Sequence, residues 1–489
     1  MSTISPPHSS FLQVQTNDDR GRHSVLTRPC VPGQVLLSAP TFAKTVLSDL
    51  RGVVCDFCFS RSRTNTMFMR CSRCKSAFYC SVHCQRLHYE VHKLECKTSA
   101  LQRLLARTSD PLALLTLRVV LRRELPPFGL TNEGTFEEVL NLSSADVLGG
   151  ISSTRLDSLC SYIGQALPEA YSSSKIKKIL KRIACNAFTI TDEELKPLGV
   201  GLYPPASYVN HSCDPNSCFL FKGTQITLIS LKELNPGDEI TVNYVELAEP
   251  LSRRRETIMK QYSFICRCQR CTSADISGHD LLVATNSWTP QKYEYNWPGI
   301  DGILQQVRCL NCNELGIYSK SGFYCVCDAP EFSQNYEVFT KLASKANSLI
   351  SQMRWQDSFN LLEEAFSIGQ NIFGPHHFEL RMALIDFADC CVYLGLWEKA
   401  LEVFEKLITT SKIIFPRNFP LIGVQEFARA KLMSVVKSDK EVVNAFRKAF
   451  SHLSVSHKAC APQMVADCLK TLNEVSVNVK DTGSRSGSI

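Results

Sequence analysis

Four pairs of metal-binding side chains constrain this chain more than any other feature: Cys55-x2-Cys58, Cys71-x2-Cys74, Cys80-x3-Cys84 and His92-x3-Cys96. Eight soft ligands in so short a stretch suffice for two tetrahedral zinc ions. A spacing of two residues fits a knuckle turn, and a spacing of three puts both ligands on one side of a helical turn. Cys80/Cys84 and His92/Cys96 are therefore expected on short helices, and the two earlier pairs on turns. His88, four residues before His92, is surplus to the eight and is expected at the surface. A segment with so few apolar side chains cannot build its own core, so metal would supply its folding energy.

Composition decides how the other cysteines are read. The chain has 489 residues, 44% hydrophobic and 21% charged, as is ordinary for a globular protein, and is long enough for about two to four domains. Its net charge of +7 is mild, but residues 51–100 carry nine Lys/Arg against three Asp/Glu. No apolar run approaches the roughly 18 residues that span a bilayer. Residues 1–10 are Ser/Pro-rich, without the basic-then-apolar order of a secretory signal. An intracellular chain keeps its thiols reduced, so the 23 cysteines argue for metal where they cluster rather than for disulfides.

A second cluster, Cys266-x-Cys268-x2-Cys271, is one ligand short of a tetrahedron. Cys213 and Cys218 both lie upstream, and the polar run Cys-Arg-Cys-Gln-Arg-Cys does not fit a core strand. A third grouping, Cys309-x2-Cys312 with Cys325-x-Cys327, leaves a zinc knuckle and a plain loop equally open, because no helix or strand pattern frames it. Between the first two clusters, Ile226–Leu231 and Glu239–Tyr244 alternate as short strands about the turn Asn235-Pro236-Gly237-Asp238. No Gly-x-Gly-x-x-Gly follows a strand, which excludes a Rossmann-type cofactor site.

Several stretches together resemble the SMYD family, the SET- and MYND-domain methyltransferases. They are Cys185-Asn186-Ala187-Phe188-Thr189-Ile190, Gly199-Val200-Gly201-Leu202-Tyr203-Pro204, Asn210-His211-Ser212-Cys213-Asp214-Pro215-Asn216, Asn243-Tyr244, and Gln261-Tyr262-Ser263-Phe264 before the last cysteines. The first cluster is similar to a MYND finger. That likeness implies interleaving, with Cys55, Cys58, Cys80 and Cys84 on one zinc and Cys71, Cys74, His92 and Cys96 on the other. It also makes Cys213 the fourth ligand beside Cys266, Cys268 and Cys271. The family implies S-adenosylmethionine as methyl donor and a protein lysine, on a histone tail or a cytosolic protein, as acceptor. Arg20, Arg22, Asn186, Asn210, His211, Tyr244 and Phe264 would surround the donor. Tyr244 would be the catalytic residue, and Phe188, Tyr203 and Tyr262 the walls of a narrow lysine channel. The sequence departs from the family at His23-Ser24, where the donor-binding turn usually has a second glycine.

The implied architecture is α+β: a split β-rich SET fold with an inserted zinc-binding MYND finger, a zinc post-SET segment and a C-terminal α-helical TPR-like domain. Its boundaries read as a disordered N-terminus at 1–10, the SET N-terminal part at 11–50, and the finger at 51–97. A helical SET insert follows at 98–180, then core SET at 181–247 and post-SET at 248–272. Residues 273–335 read as a Ser/Gly/Asn-rich linker with short helices and a possible zinc knuckle, 336–479 as the TPR-like domain, and 480–489 as a disordered tail. The last domain shows an internal repeat: Trp355-Gln-Asp-Ser-Phe recurs at Trp397 and again, without the tryptophan, at Asp439. Expected partners are the protein substrate, a proline-rich protein or DNA on the finger, and a protein on the C-terminal helices. A monomer in cytoplasm and nucleus, off the membrane, completes the reading. The rival is a non-catalytic MYND/TPR-like scaffold or transcriptional adaptor with a SET fold.

Overall fold

The computed structural model describes residues 11–62, 66–126, 128–130, 132–144, 152–167, 171–288, 296–319, 322–327, 331, 333–436 and 439–485. The stretches 1–10 and 486–489, expected to be disordered, lie outside them. The chain begins with a hairpin of β1 (Leu12–Asn17) and β2 (Gly21–Leu26), turning through Gly21 at φ +61°. Next come β3 (Val35–Ala39) and β4 (Ala43–Val46). The finger holds β5 (Met69–Arg70), β6 (Phe78–Tyr79) and α1 (Val82–Lys97). A helical layer follows: α2 (Ala100–Leu105), α3 (Pro111–Arg122), α4 (Phe136–Asn141), α5 (Ser153–Ala166) and α6 (Ser173–Asn186).

The β-rich part then resumes with β7 (Ala187–Thr191), β8 (Pro197–Leu202), β9 (Asn210–His211), β10 (Ser217–Lys222), β11 (Gln225–Ser230) and β12 (Thr241–Val242). Two small sheets, ordered β10-β11-β3 and β4-β8-β7, join strands from before the finger to strands after the helices, so the SET fold is split as expected. One core runs through them, from Leu36, Leu37 and Ala39 to Ile226, Leu228 and Val242. The insert has its own core. Helix α3 buries nearly every side chain because α5, α6 and β4 enclose it, and α6 presents Ile176, Ile179, Leu180 and Ile183 along one stripe.

Beyond the β-rich part come α7 (Leu251–Tyr262), α8 (Gln269–Ser273), α9 (Gly278–Asn286) and α10 (Trp297–Ile303), then an antiparallel sheet of β13 (Gln306–Arg308), β14 (Leu315–Ser319) and β15 (Gly322–Tyr324). Seven helices finish the chain: α11 (Asn335–Ser351), α12 (Trp355–Ile372), α13 (Phe378–Tyr393), α14 (Trp397–Ile414), α15 (Pro420–Val436), α16 (Asp439–Ser456) and α17 (Pro462–Arg485). The repeat seen in sequence falls at the starts of α12, α14 and α16, so it marks the same helix of successive hairpins. No helix among the described residues is long and apolar enough to cross a membrane.

Several boundaries differ from the sequence reading. The insert does not stop at residue 180, because the apolar stripe of α6 carries the helix on to Asn186. Within 273–335 the expected short helices are present as α9 and α10, but α10 packs into the fold rather than linking domains: it buries Trp297 and Asp301, and Asp301 is held by Arg254 and Arg270 at 2.6 and 3.2 Å. The expected hairpin of Ile226–Leu231 with Glu239–Tyr244 does not form. Strand β11 pairs with β10 and β3, while only Thr241–Val242 extends, parallel to β9. The final helix runs through Arg485, past the point where a tail was expected.

Candidate functional site

The parallel pairing of β9 with β12 sets Asn210 opposite Thr241 and His211 opposite Val242. Tyr244, two residues beyond β12, thereby comes to lie against His211, with ring centroids 5.3 Å apart. The Tyr244 backbone N–H donates to His211 Nδ1 at 3.0 Å, which makes Nδ1 the acceptor and Nε2 the protonated nitrogen. His211 Nε2 in turn lies 3.2 Å from Cys213 Sγ, as a donor to the sulfur. The Tyr244 hydroxyl donates to the Val209 carbonyl at 2.6 Å. Tyr262, the last residue of α7, stacks obliquely on Tyr244 at 4.7 Å, and Phe264 stands 6.4 Å from both Tyr262 and His211.

A polar rim surrounds this aromatic group. Asn210 Nδ2 donates to the Arg20 carbonyl at 3.1 Å, and Arg20 pairs with Glu239 at 2.8 Å. Arg22 reaches Ser143 Oγ at 3.2 Å and lies over the Tyr208 ring, while Asn186 Nδ2 donates to the Ser143 carbonyl at 2.8 Å. The first hairpin and the end of α6 thus meet around Ser143, and the same hairpin reaches β9 through Arg20. Neither Ser143, Tyr208 nor Glu239 was singled out from sequence; each acts through a backbone group or a long-range contact that no local motif marks. His23 fits where a second glycine was expected, because Gly21 alone makes the turn and His23 is buried with Nδ1 3.1 Å from the Gly21 carbonyl.

Of the three expected channel residues, Tyr262 borders Tyr244, and Phe188 packs half-buried, edge-on to Phe219 and Tyr203. Tyr203 does not line a channel. Its ring is fully buried and its hydroxyl donates to the Thr224 carbonyl at 2.8 Å, so it is core packing. Burial pushes the Tyr262 hydroxyl up to about 12. Burial, with smaller contributions from Tyr262 and Glu239, drives the Tyr244 hydroxyl well above its ordinary value. Both hydroxyls are therefore neutral near pH 7. Tyr244 is a hydrogen-bonding group, not a base.

The metal-ligand sets come together as the sequence grouped them. Cys213, Cys266, Cys268 and Cys271 place their sulfurs within 4.8 Å of one another, and so do Cys55, Cys58, Cys80 and Cys84. Cys71, Cys74, His92 and Cys96 do the same with the His92 ring nitrogen. Cys218 lies instead in β10, buried near Cys460. The Cys80/Cys84 and His92/Cys96 pairs do not occupy two short helices. Ser81 caps α1 just after Cys80, and this one helix carries Cys84, His92 and Cys96. His88 is not a surface residue either: it is buried on the inner face of α1, 3.1 Å from the Tyr79 hydroxyl and stacked on His92.

Behind two of the metal sets lies a buried charge cluster. At the finger, Glu95 accepts from His92 Nδ1 at 2.8 Å, while Arg118 of α3 reaches Glu95 at 3.0 Å and Asp56 at 3.4 Å. Behind Cys213 and Cys271, Arg254 lies 3.9 Å from Cys271 Sγ, Arg270 donates to the Cys213 carbonyl at 3.3 Å, and Asp301 joins the two guanidiniums. Guanidiniums facing a four-thiolate set fit the negative charge such a set carries once zinc is bound.

Comparison with known proteins agrees with this arrangement. A MYND finger model matches residues 55–96, and a tetratricopeptide repeat model matches residues 337–412. The chain is 32% identical to pig (Sus scrofa) N-lysine methyltransferase SMYD2 over 90% of this chain and 92% of that protein. It is 26% identical to Arabidopsis thaliana histone-lysine N-methyltransferase ASHR1 over 93% of each, and 26% identical to mouse (Mus musculus) histone-lysine N-methyltransferase SMYD3 over 95% and 97%. Identity of this level across nine-tenths of both chains, on a split SET fold with the finger in place, shows that the chain belongs to the SMYD family of SET- and MYND-domain proteins.

Proposed function

We propose that this chain is an S-adenosylmethionine-dependent protein-lysine N-methyltransferase with Tyr244 at its reaction centre. The observation that carries the reading is the way Tyr244 is held: hydroxyl on Val209, backbone on His211, ring under Tyr262. Asn186, Asn210, His211, Arg20 and Arg22 form a polar rim beside Phe264, whose ring is 37% exposed. A flat, open aromatic face next to amide and guanidinium groups fits a ligand with an adenine at one end and an amino acid at the other. Bound there, the donor supplies a methyl group on a sulfonium.

The chain's own residues do the rest. A lysine amine has an ordinary pKa of about 10.4 and must reach the site unprotonated to attack. The apolar walls formed by Tyr244, Tyr262 and Phe188 disfavour the ammonium form and fix the direction of approach. The Tyr244 hydroxyl, neutral and already pointed at a carbonyl, can orient the incoming amine without removing its proton. Zinc at Cys213, Cys266, Cys268 and Cys271 is structural in this reading, since all four protein ligands close the coordination. Two further zinc ions fold the finger. Exposed Met67, Met69, Leu87 and Tyr89 on the finger favour a protein partner there over DNA.

The test is methyl transfer from labelled donor to a panel of histones and cytosolic proteins. Label on a lysine of at least one substrate is expected. Donor binding without transfer to any member would instead support the scaffold reading.

A further inference from the structure

The sheet β13–β15, which the sequence left open between knuckle and loop, carries four more cysteines. Cys309 and Cys312 follow β13, and Cys325 and Cys327 follow β15. Their sulfurs all lie within 4.8 Å of one another, with Cys309 to Cys327 at 3.7 Å and Cys312 to Cys325 at 3.3 Å. Four thiolates about 2.3 Å from a zinc ion form a tetrahedron with edges of about 3.8 Å. The finger's sulfurs show the same edges, 3.6 Å for Cys58 to Cys80 and 3.9 Å for Cys71 to Cys96. The backbone is shaped for it too: Asn313 sits at φ +63° and donates to the Cys309 carbonyl at 3.0 Å, while the Cys309 N–H reaches Glu314 O at 2.9 Å. That closes a knuckle with both sulfurs on its inner side.

Two contrasts separate this set from ordinary buried thiols. Core cysteines such as Cys390 and Cys391 are completely buried among helices, whereas Cys312, Cys325 and Cys327 are partly open to solvent. The sheet also has little core of its own. Leu310, Tyr318 and Val326 are exposed; Val307 and Phe323 tie it to the core of the C-terminal helices, and Ile317 sits in a small apolar cluster with Leu281 and Leu282. So small a sheet gains from a metal that ties its strand ends together.

We propose that Cys309, Cys312, Cys325 and Cys327 bind a fourth, structural zinc ion that locks the joint between the catalytic half and the C-terminal helices. Strand β13 is the point of attachment: Gly374 N–H donates to Gln306 O at 2.9 Å, Phe378 N–H donates to Leu304 O at 3.1 Å, and Val307 bridges to Phe373. On the other side Tyr324 packs so closely on Gly278 that a Cβ there would lie 2.2 Å from its ring. Strand β14 places Tyr318 and Ser319 on one wall of a cleft of about 610 Å³, across from Arg253, Glu256 and Lys260 of α7. The helix that ends in Tyr262 thus faces a wall whose position the metal would set.

Native mass spectrometry of the full chain tests this without any variant. Four zinc ions per chain are expected, one for each ligand set. Three ions on the wild-type chain, or a disulfide within 309–327 in protein kept under reducing conditions, would overturn the proposal. The C312S/C325S double variant should lose one ion, bind S-adenosylmethionine as wild type does, and become cleavable by protease within 305–331. An unchanged ion count in that variant would also overturn it. A chain with four ions and no methyl transfer would sink the proposed activity while leaving this site standing.

Discussion

The finger and the post-SET cluster gather similar sets of soft ligands to different ends. Within the finger a ligand contact such as Cys71 to Cys96 spans 25 residues of chain. At the post-SET set, Cys213 meets Cys271 across 58 residues. A metal closing the longer segment restrains more of the unfolded chain, though the gain grows only logarithmically with length. The larger difference is what each metal touches. The finger's His92 turns its second nitrogen to Glu95 and so to Arg118, a buried anchor on α3. Cys213 is contacted by His211, whose other nitrogen holds the Tyr244 backbone. In the proposed reading, zinc in the finger would dock a module onto the fold, and zinc at the post-SET set would position the reaction centre.

The sharpest way to break this comparison is to remove one ligand from each set. Cys268→Ser should release one zinc, lower donor affinity by at least tenfold and bring methyl transfer near background. Cys74→Ser should also release zinc, yet leave transfer within about tenfold of wild type while loosening the finger. Metal analysis with a transfer assay on both variants decides it, and equal loss of activity in the two would erase the distinction.

Tyr244→Phe comes next. Removing the hydroxyl while keeping the ring should lower kcat about 100-fold, the scale of a lost orienting contact, with donor affinity unchanged within about threefold. A variant with full activity would leave the post-SET zinc with no reaction centre to position. The buried anchors can be compared directly as well. Arg118→Met strands Glu95 and Asp56 without their partner, a change that costs about 3–5 kcal/mol in buried pairs. Denaturation should show that loss for Arg118→Met with kcat largely preserved in the fraction that folds, whereas Asp301→Asn should lower both stability and kcat.

What was legible beforehand divides along physical lines. Cysteine spacing is dictated by the reach between ligands of one ion, so the ligand pairs could be read from sequence, while their interleaving in the finger and the choice of Cys213 over Cys218 rested on the family resemblance. Tyr244, Asn210 and His211 were visible because their neighbours in the chain form a recognisable motif. Ser143, Val209 and Glu239 were not, since a carbonyl or a distant carboxylate leaves no local pattern. His88 shows a different limit: helical spacing places it on the face of His92, but only the fold shows Tyr79 covering that face. Tyr203 was misplaced for the same reason, its motif being visible and its burial not. Residues 273–335 read as a linker because Ser, Gly and Asn recur along them, while the structure depends on Trp297 and Asp301, two residues that close over Arg254 and Arg270.

Acid offers the gentlest test, because it should weaken both metal sites as thiolates protonate and so blur the contrast between them. A part of the acid response that needs no metal lies in the C-terminal helices. His377 caps α13, accepting from the Glu379 N–H at 3.3 Å, and is buried face to face with Phe373 at 4.0 Å. Burial first, and then the nearby Arg253, pulls its pKa down to about 3. The unfolded chain protonates this group near pH 6.5 and the folded chain does not, so stability present above 6.5 falls as pH drops and levels off only near 3. At about 1.4 kcal/mol per pH unit, the loss from this one group between pH 6.5 and 5 is at most about 2 kcal/mol. His377→Asn keeps a cap acceptor and removes the titration. Its melting temperature should fall less than that of wild type between pH 7 and pH 5, while zinc release, followed in the same samples, stays the same. Parallel melting curves for the two proteins would mean that His377 does not contribute to the acid response, and the difference between finger and post-SET cluster would then have to be read from the ligand variants alone.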